Sequence, residues 1–569
     1  MKNIKSILIA AVTCALVCSS CYDLERYPDD KLSSATFFKN EEHAKEATMA
    51  AYALLRSANG YGLSFAWDGL GGICFGYDDQ SLQVFQTSIV TSGNYMVRNN
   101  WTNRYEGIAR ANRVIQNVDK CDMSDELKQQ YKCEAHFLRG LYYFNLLDFW
   151  GGVPIYDESV DIDTDFANMK KPRASVEEVR KFILADFEAA LALPKQWDAA
   201  NHGRATWGAA MAMKGKTLLF AGRYKEASEC FDEVIKSGLY ELYPDYAGLF
   251  LPGGDDSSEM IFAIQNISGK GQEAGMPMCF YMGTRSTYGS CWNNVMAATS
   301  FVDSYEWADG RPFDWEEVFP RFTTSNAKKR EVFCSTLNSN KTAVRTYTKH
   351  KEKLLEMYSQ RDPRMAASII LPYTHYKGWY KSAPHDNEYV IATGMGMPVG
   401  NGMIMVNQNH EAYLWRKFVP EADMDGLISN RSHTPINFPL CRLADVYLMQ
   451  AECLNELNRQ SEAVEYINKV RARAGMPGIN SGPVWLKANS KEEVFERIRH
   501  ERAVELCAEG HSFSDMKRWK LLETLNGKEE RYITGNTLYV RKVTERDYLW
   551  PIPSVELDQN PALVQNPGW

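Results

Sequence analysis

"GRYKEASECFDEVI" (222–235) and "NRQSEAVEYINKVR" (458–471) are one pattern written twice. At a single offset Arg223 matches Arg459, Glu226 matches Glu462, Ala227 matches Ala463, Phe231 matches Ile467 and Val234 matches Val470. The apolar positions recur at helical spacing. Each copy follows another amphipathic segment with a small residue at the same distance, Gly215 in one case and Ala451 in the other. A small residue in the first helix and alanine in the second let two antiparallel helices approach closely. Such a pair cannot bury its apolar face alone and needs neighbours to stack on.

The flanks supply neighbours. Residues 129–149 followed by 175–192 read as a third, degenerate pair with a loop inserted. The second member opens on a capping box, Ser175…Glu178, and lines Val176, Val179, Ile183, Phe187 and Ala190 on one face. Residues 491–508 open on another box, Ser490…Glu493, and residues 41–57 stripe Ala44, Ala47, Ala51 and Leu54. Pairs of this size suit tetratricopeptide-like packing. Between about 239 and 435 the texture changes to glycine, proline and aromatics, with one strand-like run, "EMIFAIQN" (259–266). Long irregular segments within a compact protein usually carry function. The expected fold is mainly α: about four helix pairs with large irregular loop insertions and a few short strands.

Composition narrows the class. The chain has 569 residues, 45% hydrophobic and 24% charged, ordinary for a globular protein. A formal net charge of -8 without a basic block argues against nucleic acid as partner. Lys2 and Lys5 precede an apolar run over 7–18, then Ser19, Ser20 and Cys21. This is an export signal, too short to span a bilayer. Cys21 after two serines resembles a bacterial lipoprotein site, with lipid on the first mature residue, although Cys18 stands where such signals usually have leucine. Thirteen cysteines in an exported chain invite a disulfide reading. A chain this large needs no staples, however, and Cys441, Cys453 and Cys507 sit in helical patterns as small hydrophobes. Metal-ligand spacing is missing: "HERAV" (500–504) lacks the second histidine of HExxH. No cofactor is expected.

One stretch looks catalytic. "HERAVELCAEGHSFSDMKRW" (500–519) gathers Glu501, Glu505, Glu509, two histidines, Asp515 and Arg518. On a helix Val494, Ile498, Glu501, Glu505 and Ala508 form one line, so the two carboxylates continue an apolar stripe. Buried charge must find partners, and Arg442, Arg471, Arg473 and Arg518 are the expected ones. A carboxylate pair for glycoside hydrolysis is the alternative.

Several blocks resemble the RagB/SusD family of nutrient-uptake lipoproteins. They are "LRGLYYFNLLDFWGGVPI" (138–155), "GRATWGAAMAMKGKTLLFAGRYKEA" (203–227), "SFVDSYEWADGRP" (300–312), "RDPRM" (361–365), "CRLADVYLMQAECLNE" (441–456), "INKVRARAG" (467–475), the 500–519 stretch and "YLWPIPSVELDQNPALVQNPGW" (548–569). The resemblance covers nearly the whole mature chain. It implies a SusD-like fold in one unit over 22–569, after a signal at 1–20. Within that unit it divides into a helical part (21–240), a loop-rich part with the ligand site (241–435) and a C-terminal part (436–569). It implies lipidation at Cys21, anchoring at the outer membrane, surface exposure and a SusC-like TonB-dependent transporter as partner. It also implies scaffold roles for Trp101, Trp307 and the 500–519 stretch. The family often has arginine where this chain has Ser512, which puts one partner of the charge network in doubt.

Glycan capture by a surface lipoprotein is therefore the expected function, without catalysis; a glycoside hydrolase and a peptide-binding or scaffolding lipoprotein are the alternatives. Sugars need aromatic platforms with amide, carboxylate or guanidinium partners for their hydroxyls. The loops offer Trp67, Asp68, Tyr77 and Asp78 in one stretch, and Tyr281, Arg285, Tyr288, Trp292 and Asn293 in another. Tyr376, Trp379 and Tyr380 form a reserve cluster.

Overall fold

The computed structural model describes residues 37–569 except 59, 77–81, 161–164, 166–168 and 393–401. The signal segment, Cys21, Tyr77 and Asp78 lie outside the described residues. Helix makes up 47% and strand 11%, so the chain is mainly α as expected. The main helices are α1 (Glu41–Ala53), α2 (Tyr95–Asn117), α3 (Asp125–Trp150), α4 (Val176–Ala189), α5 (Trp207–Phe220), α6 (Tyr224–Lys236), α7 (Leu443–Glu456), α8 (Gln460–Arg473), α9 (Lys491–Glu505) and α10 (Ser512–Arg518). Each of α1 to α8 packs on the next except that α1 touches both α2 and α3, and α9 closes the stack against α7 and α8.

Local chemistry sets the helix ends. Both anticipated capping boxes are present, Ser175 with Glu178 and Ser490 with Glu493. The α5/α6 and α7/α8 turns are copies: Gly222 and Asn458 both take positive φ, 72° and 60°. Arg223 pairs with Glu226 and Arg459 with Glu462, each at 2.5 Å. These exposed pairs contribute little energy, but they mark the register of the repeat.

The same register explains Gly215. A Cβ there would sit 2.7 Å from the Phe231 ring. The second copy has Ala451 and Ile467 at the matching positions, both fully buried, so the smaller partner leaves room for the methyl. Gly215→Ala is accordingly expected to cost about 1–3 kcal/mol by overpacking. Phe231→Ile in that background should recover part of the loss, with a coupling of about 1 kcal/mol in a double-mutant cycle read by urea unfolding. Strict additivity would contradict the compensation.

About 200 residues separate α6 from α7, yet the stack is unbroken. Gln450 on α7 donates to Asp232 on α6 at 2.9 Å. The insertion is pinched at its base, where β2 (Met260–Ile264) pairs antiparallel with β6 (Phe438–Arg442), Ile264 opposite Phe438. The strand expected over 259–266 is thus the entry to the insertion, and β6 runs directly into α7. Among the described residues six two-stranded sheets occur. They include β1 (Cys74–Gly76) with β3 (Val295–Ala297), and the hairpin of β4 (His375–Tyr380) with β5 (Ala383–Glu388). No described helix is long and apolar enough to cross a membrane.

Candidate functional site

The 500–519 stretch resolves into a buried ion network. Arg364 donates to Glu501 at 2.5 Å and to Glu505 at 3.0 Å. Arg471 takes the other oxygen of Glu501 at 3.1 Å and reaches Glu306 at 3.0 Å. Glu505 also accepts from Arg442 at 2.7 Å and from Arg473. Glu509 accepts from Arg442 and from Lys417, both at 2.7 Å. Glu259 joins through Arg442 and Arg473, and Asp362 through Arg364. Glu501, Glu505, Glu509 and Arg442 are all at most 2% exposed.

Burial alone would raise the Glu505 carboxyl; the Arg473, Arg442 and Arg364 guanidiniums instead hold it well below the usual carboxylate range. It stays ionised and has no proton to give as a general acid. His511 is also no acid at neutral pH: burial, with Lys216 alongside, pushes it down to about 4. Arg518 serves a different cluster, Asp515 and Glu452. Residue 512 is serine and takes no part in these ion pairs. The Ser512 N–H donates to Asp68 at 2.8 Å instead.

This network has a mechanical role. Glu259, Glu306, Asp362, Arg364 and Lys417 come from the insertion; Arg471, Arg473, Glu501 and Glu505 come from α8 and α9. The charges therefore fasten the loop-rich part to the helical stack. The sequence indicated that Glu501 and Glu505 needed arginines; it gave no sign that Arg364 would bridge both.

The loop-borne candidates divide sharply. Trp67 and Asp68 are not on a loop. They belong to a 3-10 helix, Tyr61–Gly69, in which every residue is buried. The Trp67 ring meets Trp550 at 4.8 Å and Phe85 at 5.8 Å, both edge-on. Burial pushes the Asp68 carboxyl up to about 7. The expectation that these two face a ligand is corrected. A ring beside a carboxylate suggested a sugar-facing loop, but the stretch Tyr61–Gly69 carries Leu63, Phe65, Ala66 and Trp67 with one charge, and that apolar content drives it into the core.

The second group comes together. A short helix, Met278–Met282, ends at Gly283, and the chain folds back along it. Trp292 N donates to Phe280 O at 3.0 Å, Cys291 N to Thr284 O at 2.9 Å and Asn293 N to Gly283 O at 2.8 Å. The fold-back sets the Trp292 ring beside Phe280, centroids 4.9 Å apart and tilted 39°. Trp292 is 41% exposed. Arg285 lies over its ring at 5.8 Å and is held by two donations to Asn407 Oδ1, at 3.2 and 2.8 Å. Arg431 lies over Phe280 at 5.0 Å and donates to Gly289 O at 2.8 Å. Tyr288 meets Trp379 at 5.1 Å, and Trp379 N donates to Ser286 O at 2.7 Å, which fastens the β4–β5 hairpin to the loop.

Tyr281 is half-buried between Phe280 and Phe65. Asn293 is fully buried and its Oδ1 accepts from Asn407 N at 2.9 Å, so it shapes the loop and presents nothing outward. Tyr376 is also core, donating to Pro420 O. Trp101 and Trp307 are core, as expected, at 3% and 8% exposure. Phe280 and Arg431 were missed: Phe280 was overlooked beside Tyr281, and nothing local to Arg431 signals its distant ring. A cleft of about 950 Å³ lies elsewhere, between α2 and the C-terminal segment, where Trp101, Tyr105, Tyr156 and Glu556 line it. No group of side chains able to hold a metal ion occurs among the described residues.

Comparisons with known proteins agree with this architecture. A family model described as the SusD family matches residues 258–569, and one described as starch-binding associating with outer membrane matches residues 24–219. A tetratricopeptide repeat model matches residues 209–237, the α5/α6 pair. A SusD-like protein of Formosa agariphila is 25% identical over 593 residues, covering 98% of each chain. The starch-binding protein SusD of Bacteroides thetaiotaomicron is 22% identical over 464 residues, covering 79% of this chain and 74% of that one. Among solved structures, a SusD-like carbohydrate binding protein from Bacteroides fragilis superposes with a TM-score of 0.74 at 23% identity, covering 93% of this chain and all of the other. A laminarin binding SusD-like protein gives a TM-score of 0.64 at 22% identity over 94% of this chain and all of that one.

Proposed function

The chain belongs to the SusD family, and from that premise we propose that it captures oligosaccharide at the cell surface and passes it to a SusC-like TonB-dependent transporter in the outer membrane. One observation carries the capture step. The half-exposed Trp292 face, backed by Phe280 and flanked by the Arg285 and Arg431 guanidiniums, is what a sugar ring needs: a flat apolar platform beside fixed hydrogen-bond donors. Arg285 is already positioned by Asn407, so ordering it costs little on binding. Tyr288 and Trp379 extend the platform along the hairpin.

Binding rather than turnover fits the charged residues. Glu501 and Glu505 have both oxygens occupied by arginine, far from a free carboxylate pair. The bound sugar would need to be moved by another protein, and a lipid on Cys21 would hold the chain beside it. Affinity isolation of the tagged chain from gently solubilised outer membranes, with ligand present, should bring down a large TonB-dependent barrel. Recovery of the lipoprotein alone would count against the transporter step. Persistence of lipid labelling in Cys21→Ala would count against the anchor.

A further inference from the structure

Cys279 and Cys291 stand at the two ends of the loop that carries Phe280, Arg285 and Tyr288. Their sulfurs are 3.3 Å apart and neither residue is exposed to solvent. Among the described residues this is the thiol pair in direct contact; Cys507, for comparison, touches Tyr246, Tyr305 and Ser368. The backbone is closed at the same level by Gly283 N to Cys279 O at 2.8 Å and Cys291 N to Thr284 O at 2.9 Å. The two side chains thus face each other across a chain reversal that the main chain already fixes. A disulfide has its sulfurs about 2 Å apart, and side-chain rotation of about 1 Å covers the difference. The pair shares a small buried cluster with Ile428, and Tyr288 packs against it.

We infer that Cys279 and Cys291 form an intramolecular disulfide in the exported protein, tying the base of the binding loop. The inference rests on export in one respect only, that disulfides persist outside the cytoplasm. The chemistry is thiol–disulfide exchange with an external disulfide. One thiolate attacks that disulfide, forms a mixed disulfide and releases one thiolate. The second cysteine's thiolate then attacks the sulfur of the first, closes the ring and releases the other. Two cysteine thiols are oxidised, one external disulfide is reduced to two thiols, and the two cysteine protons end on the released groups. Burial pushes the Cys279 thiol well above its ordinary range, so exchange belongs to the open loop, before the pair is buried with Ile428 and Tyr288. Once closed, the bond is shielded from reductant.

The test is a thiol map of the full chain. It is unfolded and reduced in urea, refolded with a couple of oxidised and reduced glutathione, denatured again, blocked with N-ethylmaleimide, digested and weighed. The expected product is one peptide joining Cys279 to Cys291, lighter by two hydrogens than its reduced halves, with the other cysteines of the folded part blocked. Blocking of both thiols, or their pairing with other cysteines, would overturn the inference. A second map is made on protein purified without reductant from a host that exports it. The linked peptide is expected there too; free thiols in protein shown by fractionation to be outside the cell would overturn the proposal while leaving export intact. Neither map uses a glycan, so failure of the binding reading cannot mimic either result. Mild reductant should leave the link intact in folded protein and open it in urea; equal loss in both would contradict the buried placement.

Discussion

Glu505→Ala is expected to lower the folding stability by about 3–5 kcal/mol, the scale for removing one partner of a buried ion pair. Three guanidiniums, Arg364, Arg442 and Arg473, lose an acceptor at once, and none can turn to water. The deficit should be read by urea unfolding at neutral pH. Its pH dependence has a fixed sign. The folded carboxyl is held below its unfolded value of about 4.3, so its contribution is present above that pH and disappears as the pH falls through the lower folded value. The gap between wild type and variant should therefore narrow in acid. Ligand affinity of the protein that remains folded should change little. Normal stability with abolished binding would reverse the assignment and return the stretch to candidate chemistry.

Trp67→Ala and Trp292→Ala make the second contrast, one substitution type with opposite readouts. Trp67 is packed edge-on against Trp550 and Phe85, and truncating it should cost about 3–5 kcal/mol of stability through the cavity left behind. Trp292 is 41% exposed, and its loss should leave stability within about 1 kcal/mol. On the binding side the order inverts. Losing the indole face should remove about 1–3 kcal/mol of sugar contact, roughly tenfold to a hundredfold in affinity. Folded Trp67→Ala protein should bind nearly as wild type. Calorimetry on both variants, with circular dichroism to confirm the fold, separates the roles.

Much of the scaffold was legible before the structure. The doubled 222–235 and 458–471 pattern foretold two copies of one helix pair with a small residue, Gly215 or Ala451, in the first helix of each; the left-handed turn residues and the reason for Gly215 opposite Phe231 emerged only from the structure. The carboxylates at 501 and 505 announced burial because they continue an apolar stripe. These are local periodicities, and a helix enforces them locally. The site was legible only in part. The 281–292 rings were found because they cluster in sequence, whereas Arg364 and Arg431 reach their partners over long separations that no local pattern encodes. Trp67 misled because an indole beside a carboxylate reads the same in a sugar-facing loop and in a packed turn. Its neighbours Leu63, Phe65 and Ala66 were the signal that should have prevailed.

Oligosaccharide is expected on the Phe280–Trp292 platform. An array of defined glycans, probed in parallel with the wild-type chain and with Trp292→Ala, decides this. The expected result is saturable binding of wild type to a related group of oligosaccharides, with the same spots reduced at least about tenfold in affinity for the variant and no release of reducing ends. Equal binding by both proteins would move the site away from this loop, towards the cleft lined by Trp101 and Tyr156, and no binding to any glycan, alongside protease-sensitive binding to peptides, would contradict the claim outright.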